Sequence, residues 1–260
     1  MRASLIQIGV DPDESVTSRR ERAAALVREQ SAADLVVLPE LWPVGAFAFD
    51  LFEEAAESAA EGPTAVTMAQ AARDAGVWLH AGSVVERTAG GELFNTALVF
   101  APDGTLAATY RKIHRFGFDR GEATLMSAGS APVTVAAAGA RLGLATCYDL
   151  RFPELFRALT DGGAQLLVVA AGWPEKRAEH WNLLARARAV ENQAYVLACG
   201  TAGSHAGVPQ AGRSAIIAPW GETLAEAPDA TEQVVTAELD LGELARVREE
   251  FPVLKDRVLR

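Results

Sequence analysis

The sequence predicts a layered α/β fold whose sheets mix parallel and antiparallel strands. Three observations lead there. Apolar bursts of strand length alternate with helix-like stretches along almost the whole chain. Turn signals at Gly90-Gly91 and Asp103-Gly104 join neighbouring bursts as hairpins would. The breaks between elements are too short and too apolar to be linkers, so 1–260 reads as a single domain. At 260 residues and 50% hydrophobic it can bury a substantial core.

In chain order, Ser4–Val10 reads as a strand, Ser18–Ala32 as a helix and Asp34–Pro39 as a short buried strand. A second helical stretch, Ala55–Ala75, contains Gly62-Pro63, so the helix proper begins at Pro63, where a missing N–H costs nothing. Val77–Val85 is a strand, and Leu93–Phe100 pairs with Thr105–Tyr110 as a hairpin. Pro132–Ala136 and Arg141–Thr146 pair around Gly139. A helix-like segment follows Cys147. After it come a strand at Leu166–Ala171, a helix at Glu179–Gln193 and strands at Ala194–Gly200, Ser214–Ala218 and Gln233–Glu238. The tail, Leu239–Arg260, starts helical and becomes extended around Pro252.

Composition removes several classes. The formal charge is -10, and no basic cluster stands out, so a phosphate backbone is not an expected partner. No stretch approaches the roughly 20 apolar residues that span a bilayer, and the N-terminus reads as a strand rather than a signal peptide. Two cysteines, 147 and 199, make no disulfide framework, which fits a reduced, cytoplasmic setting. The four histidines show neither HExxH nor a Cys/His cluster, and the glycine-rich GSHAGVPQAG lacks a phosphate-loop pattern. Neither a metal nor a cofactor is expected.

Cys147 is the residue that suggests chemistry. It stands where the apolar run Leu142–Thr146 stops and a helical segment begins, a geometry that presents a nucleophile. Cys199 lies inside an apolar run and reads as packing. Glu40 follows LVVLP directly, and Lys112 follows AATYR. A carboxylate in the dry mouth of a sheet has its pKa raised toward the range a proton shuttle needs. A lysine beside it would favour the thiolate and meet a developing oxyanion, with the Tyr148 backbone N–H as second donor. The residues alone leave blander roles open: packing for Cys147, a helix cap or arginine partner for Glu40, a solvated hairpin end for Lys112.

More specific are the ordered segments LVVLPE (35–40), YRKIH (110–114), CYDLRFPEL (147–155), RARAVENQAYV (186–196) and GRSAIIAPWGE (212–222). Together they resemble the nitrilase superfamily of carbon–nitrogen hydrolases, from residue 2 to about residue 257. CYDLRFPEL is similar to the amidase branch that acts on small ω-amides. The resemblance implies a four-layer α-β-β-α sandwich and a homodimer built on the helix after Cys147 and the C-terminal segment. It also implies roles: Glu40 as general base, Lys112 stabilising the intermediate, Cys147 as the acylated nucleophile, and Glu122 as a second glutamate near the substrate. In the loop before Glu122, Arg115 and Gly117 stand where relatives carry a leucine and an aspartate, a departure that bears on substrate.

The implied activity is hydrolysis of a small linear amide, the ω-amide of a short dicarboxylic or 2-oxo acid, to ammonia and the acid through a thioester. Phe116, Phe118 and Trp173 are candidates to line the pocket, and Arg151 to pair with Glu154 in the turn after the nucleophile. Deaminated-glutathione amidase and N-carbamoyl amino acid amidohydrolase are the alternatives within the family. A non-catalytic amidase-fold binding subunit is the alternative outside enzymes, although it would have no chemical need for Glu40, Lys112 and Cys147 together.

Overall fold

The computed structural model describes residues 1–259. Two six-stranded sheets are built on the same plan. The first runs Gln233–Glu238, Arg2–Gln7, Leu35–Val37, Trp78–Arg87, Leu93–Phe100, Leu106–Arg111. The second runs Thr223–Glu226, Ala215–Ile217, Tyr195–Gly200, Leu166–Ala171, Ala140–Thr146, Thr134–Ala137. In each, three central strands are parallel and the outer ones antiparallel. Parallel neighbours need crossover connections. Here the helices Val16–Arg28 and Pro63–Ala75 serve the first sheet, Pro153–Asp161 and Ala178–Asn192 the second.

Period-two alternation sorts the strand side chains between layers. In the first sheet Leu5, Leu35, Val37 and Val99 join the core shared with the second sheet. Ile6, Val36, Leu38 and Leu98 turn the other way, onto Ala24, Val27, Met68 and Ala72 of the two helices. The small helical residues let those helices lie close to the sheet. On the second sheet a Cβ at Gly143 would meet Leu159 of the outer helix at 3.0 Å, so that face carries the fourth layer. The result is the α-β-β-α sandwich. Each fully buried Leu, Ile or Val contributes about 1.5–3 kcal/mol, so the shared core ties the sheets into one frame.

Element ends follow local chemistry. Ser15 caps the first helix, its hydroxyl accepting from Ser18 N at 3.1 Å. Pro63 opens the second and Gly76, at φ 69°, closes it. The hairpin expected about Asp103-Gly104 forms between Leu93–Phe100 and Leu106–Arg111. Several details differ from the sequence expectation: the strand expected at Ser4–Val10 is split into Arg2–Gln7 and Gly9–Val10, and Ala202–His205, Val208–Pro209 and Thr223–Glu226 are strands that the sequence reading did not place. Cys147–Arg151 is one short 3-10 turn, and the α-helix proper starts at Pro153, whose ring suits a first turn but not an interior. The tail beyond Glu250 folds into tight turns, with Lys255 N bonded to Pro252 O at 2.9 Å, rather than extending; Arg260 lies outside the described residues. No helix among the described residues is long and apolar enough to cross a membrane.

Gly82 decides how Glu40 is carried. It sits at φ +68° in an irregular stretch of Trp78–Arg87, and a Cβ there would lie 1.9 Å from the Pro39 carbonyl oxygen. Gly82→Ala should therefore lower unfolding free energy by more than about 2 kcal/mol, because strain and a backbone collision combine. Gly139 has a similar φ of +78° but open space around its Cα, so Gly139→Ala should cost only about 1 kcal/mol. Urea titration of the two variants measures the contrast.

Candidate active site

The convergence of the site follows from strand direction. Leu35–Val37 is parallel to Trp78–Arg87, and two antiparallel steps bring Leu106–Arg111 back to the same sense. The chain exits toward Glu40 and Lys112 therefore lie at one end of the first sheet. Leu93–Phe100 runs the opposite way, so its early residue Asn95 lies at that end too. In the second sheet, Ala140–Thr146 and Leu166–Ala171 are parallel and deliver Cys147 and Gly172. Crevices at the carboxyl ends of parallel strands are where α/β folds hold ligands.

At that end Lys112 Nζ donates to Glu40 Oε1 at 2.7 Å and to Glu122 Oε2 at 2.6 Å. Asn95 Nδ2 bridges the same two carboxylates, to Glu40 Oε1 at 2.8 Å and Glu122 Oε1 at 2.5 Å. Two backbone amides complete the set, Gly172 N to Glu40 Oε2 and Phe116 N to Glu122 Oε2, each at 2.9 Å. Glu40, Lys112 and Glu122 are at most 2% exposed. Cys147 lines the same cavity, 7% exposed, with its Sγ 3.8 Å from Gly172 O.

The backbone at Cys147 is held in the left-handed region, φ 48°, which a side chain adopts only under constraint. Asp149 supplies that constraint. Its Oδ2 accepts from Thr146 N at 2.8 Å and from the Tyr110 hydroxyl at 2.7 Å, and its Oδ1 accepts from His114 N at 3.0 Å. His114 Nδ1 lies 2.7 Å from the same oxygen. The turn is thus tied to the strand end that carries Lys112. Tyr148 N stands in the first turn, ahead of the amides that close 3-10 bonds.

Burial and neighbouring charge set the protonation states. Burial raises the Glu40 carboxyl above its ordinary range, while the Lys112 ammonium pulls it back. Burial alone would lower Lys112, but Glu122 and then Glu40 outweigh it and hold the ammonium well above its usual pKa. Cys147 is pushed well up, first by burial and then by the Glu40 carboxylate; Lys112 opposes this and does not win. Lys112 does favour the thiolate, as expected, but burial and the Glu40 carboxylate outweigh it, so the sulfur needs a base. The buried histidines cannot serve. Burial holds His205 down at about 3 and His80 at about 4, and neither lines the cavity.

Phe116 and Trp173 line the cavity together with Tyr148. Phe118 does not. Gly117 and Gly121 bridge across the base of its loop, and the ring between them is turned outward, 83% exposed. Arg115 and Gly117 have structural work in this loop: the Arg115 guanidinium donates to Met126 O at 2.7 Å, and Gly117 turns at φ 124°. Arg151 makes no ion pair with Glu154; its guanidinium lies 4.9 Å over the Trp173 ring and lines the cavity. Cys199 packs between the sheets, its Sγ 3.4 Å from Val37 O. Sequence reasoning missed Asn95, Gly172 and Arg177. Only Asn95 left a signal, as the lone amide in the apolar strand LFNTALVF.

Two measurements check this arrangement. Asp149→Ala strips partners from Thr146 N and the Tyr110 hydroxyl in a fully buried position, so it should cost about 3 kcal/mol or more in urea unfolding and slow alkylation of Cys147. With Glu40 in the role of base that the resemblance implies, its raised pKa should place the acid limb of kcat/KM above the ordinary glutamate value of 4.5, because a base must be ionised to accept a proton. Activity should rise with pH through that limb, and Glu40→Gln should remove it with a loss of about 10²–10⁴-fold.

Comparison with known proteins agrees with the geometry. The carbon-nitrogen hydrolase family pattern matches residues 2–249. The chain is 42% identical over 259 residues to the 2-oxoglutaramate amidase of Paenarthrobacter nicotinovorans, covering 97% of this chain and 87% of that one. It is 37% identical over 268 residues to the omega-amidase of Homo sapiens, covering 98% and 94%. A carbon–nitrogen hydrolase superfamily protein from Xanthomonas campestris, solved with an arsenic adduct in its active site, superposes with a TM-score of 0.92 at 33% identity, covering 100% and 98%. A mutant amidase from Nesterenkonia sp. AN1, which carries acrylamide added to its active-site cysteine, gives 0.82 at 26% identity, covering 98% and 99%. With one cavity assembled from the ends of both sheets and the family pattern running through nearly the whole chain, the protein belongs to the carbon–nitrogen hydrolase family.

Proposed function

We propose that the protein is an ω-amidase: it hydrolyses the terminal amide of a short dicarboxylic or 2-oxo acid monoamide, releasing ammonia and the acid through a thioester on Cys147. The observation that carries this reading is the Lys112 ammonium buried between Glu40 and Glu122 in the cavity that holds the thiol. The 2-oxoglutaramate amidase and omega-amidase relatives support the substrate class.

Sulfur attacks the amide carbon as Glu40 takes its proton, so no free thiolate has to accumulate. The oxyanion then forms between Lys112 and the Tyr148 N–H, donors fixed before the reaction begins. Glu40 returns the proton to the departing nitrogen, and ammonia leaves. A water, deprotonated by Glu40, attacks the thioester and frees the acid and the thiol. Glu122, bonded through Lys112 and Asn95, keeps the ammonium charged and placed and orients the amide nitrogen. Phe116 and Trp173 wall the cavity against bulk water. The same reading includes a homodimer. Of the two segments expected to pair, the C-terminal one carries exposed Phe251, whose ring lies 5.9 Å from exposed Trp220; the apolar patch continues to Val190 of the helix Ala178–Asn192 rather than to the helix Pro153–Asp161.

Ammonia release from a panel of ω-amides, carbamoyl amino acids and nitriles tests the class, and ω-amides should turn over fastest. Cys147→Ala should reduce turnover to background with an unchanged unfolding midpoint, since the exchange is small and local. Mass detection of an acyl adduct on the wild-type protein identifies the sulfur. More than trace turnover in the alanine variant would remove Cys147 from the mechanism.

A further inference from the structure

We infer that Arg177 is the specificity residue of this site and binds the substrate's remote carboxylate, with Arg151 adding a second positive charge to the cavity lining; this rests on the ω-amide reading above. The chain is acidic, with a formal charge of -10, yet three cations line its reaction cavity. Only Lys112 is matched by carboxylates. Among the described residues, Arg177 has no ion pair and no side-chain hydrogen bond, and the one polar side-chain contact of Arg151 is His180 Nδ1 at 3.3 Å. The cavity's own carboxylates are not free to answer them, because Lys112 and Asn95 already bridge both.

Both guanidiniums are held in place. Arg177 lies 5.4 Å over the Phe116 ring and Arg151 4.9 Å over Trp173. Trp173 Nε1 donates to Arg177 O at 2.8 Å, which fixes the backbone of the short 3-10 turn Glu175–Arg177. Stacking on an aromatic face positions a guanidinium while leaving its edge N–H groups unspent, and that edge matches a carboxylate in two parallel hydrogen bonds. Both arginines are half-buried, so they bind a charged group without the full cost of isolating a cation. The ligand chemistry follows. An amide carbon sits at Cys147, a short aliphatic chain lies against Phe47 and Phe116, and an anionic carboxylate ends on Arg177.

The test compares succinamate with succinamide, which have the same length and differ by carboxylate against carboxamide. In the wild type, kcat/KM should favour succinamate. In Arg177→Met the ratio of the two kcat/KM values should fall by about 10–100-fold, expressed mainly as a raised KM for succinamate. Arg177→Lys, which keeps charge but loses the planar fork, should fall in between. An equal loss on both substrates would mean a structural role only, and an unchanged ratio would remove Arg177 from recognition; either overturns the inference. Calorimetry of succinate with Cys147→Ala, alone and combined with Arg177→Met, reads the clamp without turnover. Arg177-dependent succinate binding in a protein that releases ammonia from no ω-amide would sink the proposed activity and keep the clamp. Succinamate turnover with an unchanged ratio in Arg177→Met would do the reverse.

Discussion

Everything in this molecule is arranged around one buried ammonium. Lys112 sits between two carboxylates in a place where water cannot solvate any of the three. In a medium of low effective dielectric an unpaired charge is so costly that losing one partner of a buried pair typically destabilises by about 3–5 kcal/mol. The three side chains therefore have to arrive together. Asn95 and the amides of Gly172 and Phe116 donate to the same two carboxylates, so every carboxylate oxygen in the cluster has a partner. A positive charge fixed this way needs no rearrangement when negative charge develops beside it.

The two sheets divide the labour. The first contributes the charged groups from its strand ends; the second contributes the sulfur and the Gly172 amide that bonds Glu40. That bond, reaching 132 positions along the chain, registers one sheet against the other at the site. Gly172 can be only glycine there: a Cβ would lie 2.4 Å from the Ala46 Cβ. Backbone strain at Cys147 belongs to the same economy, since the left-handed conformation points the sulfur into the cavity and the Asp149 network holds it there. Burial first, and then the neighbouring Glu40 carboxylate, push the Cys147 thiol pKa well up.

Much of the fold was legible. Apolar periodicity located the strands of the two large sheets except Thr223–Glu226, Pro63 and Gly62 located a helix start, and Asp103-Gly104 a hairpin, because these signals act within a few residues. Cys147, Glu40 and Lys112 could be picked out for the same reason: each follows directly on a strand-like run. Arg151 was misjudged because the nearest acid in sequence, Glu154, lies in the following helix, whereas Trp173 comes from another strand end. Phe118 was misjudged because two neighbouring aromatics in a loop carry no record of which one the glycines turn outward.

The amino-acid order alone offered the chemistry of Cys147, Glu40 and Lys112 at strand ends, and the family resemblance added Glu122 in the loop that follows. It could not settle their charge states or their neighbours. Those depend on burial and on distances between segments that share no local pattern. Asn95 became a bridge, Gly172 a donor and Lys112 a permanent cation only when two sheets closed over them and excluded water.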